Sequence, residues 1–200
     1  MRVFLTMIIF IFVMPNISLS IEDKVNKHFQ KGNEYFNEGN YDKAIEEYNR
    51  VIMAKPDFLE VFYNRGLAFF KKGKYGDSIK DLSRVIIVDT NDAELYFHRG
   101  LAYLQNKEYD RAIDDYNKTL SINPRYADAY VNRGIAYAKK DMLDKAIEDY
   151  NMAINLRPKD IHSYYSRGVA YFKKALSDFA KSCENGIEQA CIDFKKYSEK

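Results

Sequence analysis

The sequence predicts an all-α protein, an α-solenoid of stacked antiparallel helix pairs with about four full repeats, a shortened fifth and a closing helix. Three observations carry this. Glycines recur every 34 residues, at Gly32, Gly66, Gly100, Gly134 and Gly168. Four residues before each stands an aromatic or His (His28, Phe62, Tyr96, Tyr130, Tyr164), and three after each stands an aromatic (Tyr35, Phe69, Tyr103, Tyr137, Tyr171). Each copy also holds two stretches of helical periodicity; in the third, Tyr96, Gly100 and Tyr103 make one stripe and Ala112, Ile113, Tyr116, Thr119 and Leu120 a second. One pair of amphipathic helices cannot cover both its faces, so neighbouring pairs stack, each touching only the next.

At the start, Val3 to Met14 are almost unbroken apolar, with Arg2 before them and Pro15, Ser18 and Ser20 after. A run of this length is too short to span a bilayer core of about 30 Å. Residues 1–20 therefore read as a secretory signal cut after Ser20, the alternative being an uncleaved N-terminal membrane anchor. The expectation is a periplasmic or secreted protein with no stable membrane insertion once the signal is gone.

The full repeats follow at residues 25–58, 59–92, 93–126 and 127–160, within a solenoid over 21–183. Between the helices of a pair, Gly39 and Gly73 stand where the chain needs the left-handed conformation; Lys107 and Asp141 occupy the same place and imply another turn geometry. Pro56, Pro124 and Pro158 end the second helices. Small residues have a packing reason. Gly in the first helix and Ala44, Ser78, Ala112 or Ala146 in the second let two backbones approach, while Tyr48, Leu82, Tyr116 and Tyr150 fill the space beside them. Most of the 17 Tyr and 13 Phe are thereby assigned to packing.

The fifth copy, 161–183, departs from this pattern. Against Lys139 to Tyr150, the segment Lys173 to Phe179 is five residues shorter, and no Gly or Pro separates Tyr171 from Glu184. Tyr164, Gly168, Tyr171, Ala175, Phe179 and Cys183 fall on one helical stripe, which predicts a single long helix over about 163–183. Asn185 and Gly186 supply a turn into a closing helix within 184–200. The two cysteines, Cys183 and Cys191, bracket that corner within disulfide reach, and export favours their oxidation over a pair of buried thiols.

The aromatic, Gly, aromatic, Ala, aromatic, Pro pattern at this period resembles the tetratricopeptide repeat from Val25 to Cys183. The cysteine corner resembles the Sel1-like exported repeats. The first resemblance implies a non-catalytic scaffold that binds a protein or peptide in the concave groove lined by its first helices. Carried onto this chain, the groove positions are Phe29, Phe36, Tyr63, Phe70, Phe97, Leu104, Tyr165 and Phe172, with Asn33, Asn64, His98 and Asn132 interleaved to hold a partner's backbone. Some family members grip a C-terminal carboxylate through basic residues; here Phe29, Glu94 and His98 stand where those would be needed, so a carboxylate clamp is not expected. Glu60, Glu94 and Asp128 give the groove an acidic edge suited to a basic or neutral peptide. The rival reading is a structural or assembly factor of the cell envelope, acting through the solenoid ends or convex face.

Charge and chemistry narrow the classes further. Removing residues 1–20 takes away Arg2 alone, leaving 30 basic against 29 acidic residues, which gives no electrostatic footprint for nucleic acid. His28, His98 and His162 occupy different places in different repeats and do not converge on a metal. Neighbouring carboxylates such as Glu46 with Glu47, or Asp114 with Asp115, point to different sides of a helix and are read as marking a solvated face. No phosphate loop or nucleophile elbow is present, and neither catalysis nor a cofactor is expected.

Overall fold

The computed structural model describes the backbone of residues 4–198 and the side chains of residues 21–198. The predicted export signal, residues 1–20, lies outside the residues whose side chains are described. Ten helices and no strand are found among the described residues. They form two compact units, divided after Thr90.

The first unit holds α1 (Phe4–Asn37), α2 (Tyr41–Ala54), α3 (Leu59–Lys71) and α4 (Tyr75–Ile86). The second holds α5 (Ala93–Gln105), α6 (Tyr109–Ile122), α7 (Ala127–Lys139), α8 (Leu143–Leu156), α9 (Ile161–Glu184) and α10 (Glu188–Ser198). In each unit consecutive helices pack as antiparallel neighbours, α1 on α2 and α3 on α4, then α5 on α6 and α7 on α8. Fully buried Tyr48, Val51, Val61 and Leu82 form the interior of the first unit. Tyr116, Ile113, Leu120 and Phe97 centre the second.

Glycine sits where the pairs come closest. A Cβ on Gly100 would stand 2.8 Å from Tyr116 Cε1, and one on Gly134 2.7 Å from Tyr150 Cε1. Gly32 meets Tyr48 in the same way, and Gly66 meets Leu82 at 3.1 Å. Each of these side chains occupies the space that a Cβ would take.

The turns correct one expectation. Lys107 (φ 63°) and Asp141 (φ 60°) adopt the same left-handed conformation as Gly39 (φ 77°) and Gly73 (φ 73°). The reason is a shared hydrogen bond that closes the first helix: Asn40 N–H donates to Tyr35 O at 2.8 Å, and Lys74 to Phe69, Glu108 to Tyr103 and Met142 to Tyr137 each at 2.9 Å. Four turns of identical length require one geometry, and at two of them a side chain is carried in a conformation that glycine holds at lower cost.

In the fifth copy α9 runs unbroken through Lys174, as its stripe predicts. The corresponding turn is postponed to Gly186 (φ 88°), closed by Ile187 N–H on Ser182 O at 3.0 Å. Beyond it α10 packs on the C-terminal half of α9, tied by a disulfide between Cys183 and Cys191. Phe179 stacks there on Tyr197.

Candidate functional site

On the first unit α1 and α3 enclose a cavity of about 310 Å³, lined by Asn33, Phe36, Asn37, Asn64 and Leu67 with Tyr48 at its floor. Its polar centre is a small network. Asn33 Oδ1 accepts from the Tyr48 hydroxyl at 2.8 Å and from Asn64 Nδ2 at 3.0 Å. Among the described residues no hydrogen bond is found for Asn33 Nδ2, a donor, or Asn64 Oδ1, an acceptor. Burial pushes the Tyr48 hydroxyl up to about 12, so it remains a neutral donor. Phe36, on the cavity rim, is turned edge-on to Tyr41, with centroids 5.5 Å apart.

The second unit repeats the arrangement with different chemistry. Ile135, Ala138, Tyr150, Tyr165, Ser166 and Val169 surround a cavity of about 180 Å³ between α7, α8 and α9. Three repeats along from the first cavity, Ile135 replaces Asn33 and Ser166 replaces Asn64, so this hollow is more apolar.

Not every predicted groove residue reaches a surface. Phe97 and Leu104, 8% and 7% exposed, belong to the interior of the second unit. Phe97 is covered by Tyr126 (4.8 Å) and lies 6.0 Å from Tyr116. Phe29 is half-buried against Phe58 at 4.9 Å, and Phe70 against Tyr75 at 5.6 Å. Tyr63 and His98 are half-buried on α3 and α5. Asn132 donates to Asp128 O one turn back in its own helix at 2.8 Å. Tyr165 and Phe172 remain exposed on α9. The acidic edge is reduced, because Arg157 grips Asp128 with both terminal nitrogens, Nη2 to Oδ1 at 2.5 Å and Nη1 to Oδ2 at 3.2 Å.

The carboxylate pairs read as a solvated face are also corrected. Glu46 and Asp114 are exposed, but Glu47 and Asp115 are buried and engaged. Arg99 donates Nε to Asp115 Oδ2 at 2.8 Å and Nη2 to Oδ1 at 2.7 Å. Arg65 with Asp81 and Arg133 with Asp149 repeat this bidentate geometry. The third nitrogen reaches the preceding pair: Arg65 Nη1 to Asn49 and Arg133 Nη1 to Asn117, each at 2.6 Å. The aromatics flanking each glycine bracket the guanidinium, with Arg99 5.8 Å from the Tyr96 ring and 5.7 Å from Tyr103. Burial works against the Arg99 charge, and the Asp115 contact outweighs it and holds the guanidinium above its usual value. The first repeat carries a variant in which Glu47 takes His28 at 2.6 Å and Arg50 at 2.7 Å.

The signal for these ties was legible as Arg65, Arg99 and Arg133 at the repeat period, each followed 16 residues later by Asp. The cavity residue Leu67 likewise follows its glycine directly, as Asn33 does.

Antiparallel helix pairs, each closed by a glycine of the first helix against a tyrosine or leucine of the second, with open hollows between first helices, define a helical-repeat scaffold. The chain belongs to the tetratricopeptide repeat family. Models of that repeat match residues 32–73 and 66–107, and 93–126 and 127–160. Among solved structures, a crystal structure of MamA protein is 31% identical, covering 89% of this chain and 92% of that one at a TM-score of 0.73. MamA from Desulfovibrio magneticus RS-1 is 21% identical over 88% and 94% at 0.73, a likeness of fold. The first tetratricopeptide domain of Spaghetti (RPAP3) bound to an HSP90 peptide is 26% identical, over 58% and 93% at 0.57. No protein of curated function matches. No helix of the described residues is long and apolar enough to cross a membrane.

Proposed function

We propose that this chain is a non-catalytic scaffold that holds an extended segment of a partner protein across α1 and α3 of the first unit. The observation that carries the reading is the Asn33 and Asn64 pair, hydrogen-bonded to each other and both lining the 310 Å³ hollow, with an amide donor on one and an amide acceptor on the other not used in that bond. Those are the two groups that a peptide backbone unit pairs with. The cavity's rim of Phe36 and Leu67 supplies apolar contact for a side chain. Support also comes from the family and from the peptide-bound RPAP3 domain. Glu60, exposed on α3, favours a basic or neutral segment.

Export is part of the proposal. The apolar run of residues 1–20 acts as a signal, and the Cys183–Cys191 bond suits an oxidising compartment. The Sel1-like character of the corner rests on the cysteine spacing alone.

Selection of dodecapeptides from a random display library, followed by calorimetric titration of the enriched sequences, tests the site. Asn33→Ala and Asn64→Ala are each expected to weaken binding at least tenfold without loss of helicity. Peptides that bind both variants as tightly as the parent would place the site elsewhere. N-terminal sequencing of the exported protein tests cleavage after Ser20.

A further inference from the structure

Three first helices receive a tyrosine ring at their glycine, Gly32 from Tyr48, Gly100 from Tyr116 and Gly134 from Tyr150. Gly168 receives nothing: among the described residues no atom outside its own helix backbone and chain neighbours lies within 4 Å of where its Cβ would stand. Beside it Arg167 reaches Asn151 at 2.6 Å and lies 5.3 Å from the Tyr164 ring, as its counterparts do. Among the described residues it meets no carboxylate, so the Nε and Nη2 edge that takes Asp149 in Arg133 is open. Tyr164, Tyr171 and Phe172 are 45%, 51% and 49% exposed around the same stripe.

The missing ligand is written into the same helix. Three second helices carry Ala, then an acid three residues on, then an aromatic: Ala44, Glu47, Tyr48; Ala112, Asp115, Tyr116; Ala146, Asp149, Tyr150; α4 has Ser78, Asp81 and Leu82 instead. In α9 the set recurs as Ala175, Asp178 and Phe179, with Ala175 and Asp178 exposed. Because the turn is postponed to Gly186, this set continues the helix that holds Gly168, its Phe179 about 16 Å further along at 1.5 Å per residue. A straight helix cannot fold that set back onto its own glycine.

A second copy can supply it. We propose that two copies of this chain pair through antiparallel α9 helices, each placing Phe179 on the other's Gly168 and Asp178 on the other's Arg167. Arg167 precedes Gly168 by one residue and Asp178 precedes Phe179 by one, a rotation of about 100° in each case. On antiparallel helices equal rotations bring both charges to the same side, as in the hairpins of Arg99 with Asp115 and Arg133 with Asp149. The contact is two-fold and self-complementary, so it closes at a dimer. Ala175 and Gly168 let the backbones approach, and Tyr197 of α10 holds one face of the Phe179 ring in position.

Sedimentation equilibrium of the full chain tests the pairing. The parent is expected as a dimer, and Gly168→Leu as a monomer of unchanged far-ultraviolet circular dichroism, since the added side chain meets open space in the single copy. Asp178→Arg and Arg167→Asp are each expected to weaken association at least tenfold, and their combination to restore it. Asp178 is exposed, so its variant folds whatever happens at the other two sites. A parent chain that stays monomeric, a dimer indifferent to Gly168→Leu, or a charge exchange without recovery would overturn the proposal.

Discussion

Arg133 closes on Asp149 through two parallel hydrogen bonds, Nε to Oδ2 at 2.8 Å and Nη2 to Oδ1 at 2.6 Å, in a site where the Asp149 side chain is 5% exposed. Two buried charges in this geometry depend on each other. Asp149→Leu alone leaves the guanidinium without its partner and is expected to cost about 3 to 5 kcal/mol. Asp149→Leu combined with Arg133→Met is expected to recover most of that loss. Urea unfolding of the single and double variants checks it, and equal losses in both would count against mutual dependence.

Gly100 and Tyr116 make the second prediction. A methyl group at Gly100 must displace a fully buried ring now 2.8 Å away, so Gly100→Ala is expected to destabilise by about 1 to 3 kcal/mol. Restoration by the added change Tyr116→Leu, the residue type that Gly66 meets in Leu82, would show that the ring is the obstacle.

At the turns, Lys107→Gly and Asp141→Gly are expected to stabilise by about 0.5 to 1 kcal/mol each, because both positions have positive φ. Gly39→Ala is expected to do the reverse. Thermal melting of the three variants decides the matter through the sign of each shift.

Tyr48 and Tyr116 share a role in packing and differ at the hydroxyl. Tyr48 donates to Asn33, whereas the Tyr116 oxygen is buried with no hydrogen-bond partner among the described residues. Leu101 stands in the third repeat where Asn33 stands in the first. Tyr48→Phe is therefore expected to cost about 1 kcal/mol and Tyr116→Phe to be neutral or stabilising. Denaturant midpoints measured side by side would reveal the contrast or its absence.

Acid stability follows from Glu47. Burial alone would raise its carboxyl, but the His28 hydrogen bond and the Arg50 and Lys31 charges outweigh it and hold the group below its ordinary 4.5. A lowered folded value means that its contribution is complete above about pH 4.5 and disappears as pH falls through the folded value. Glu47→Gln is expected to lower stability at pH 7 and to flatten the acid limb of the stability curve. A parallel curve for parent and variant would exclude this linkage.

The repeat glycines, their aromatic neighbours and the uninterrupted stripe of α9 were legible in the sequence because each obeys a fixed spacing. Packing direction was harder to read. Phe97 and Tyr63 stand at equivalent places, yet Phe97 is closed over by Tyr126, as Phe29 is by Phe58, while the position 29 residues after Tyr63 is Asp92, and Tyr63 stays half-buried. Adjacent acids such as Asp114 and Asp115 look alike in a string of letters, and only the arginine 16 residues upstream separates the solvated one from the buried one. The turns at Lys107 and Asp141 misled because residue type suggested a geometry that loop length had already decided.

The third nitrogen of each arginine has a consequence for how such a protein comes apart. Repeat arrays ordinarily loosen one unit at a time, since stability is a sum of local and nearest-neighbour contributions. Arg133 fastens α7 at once to α8 and, through Asn117, to α6, so α8 cannot detach without slackening the seam behind it. Opening there is expected to involve three helices together, and fraying to begin in stretches where no such rivet is set.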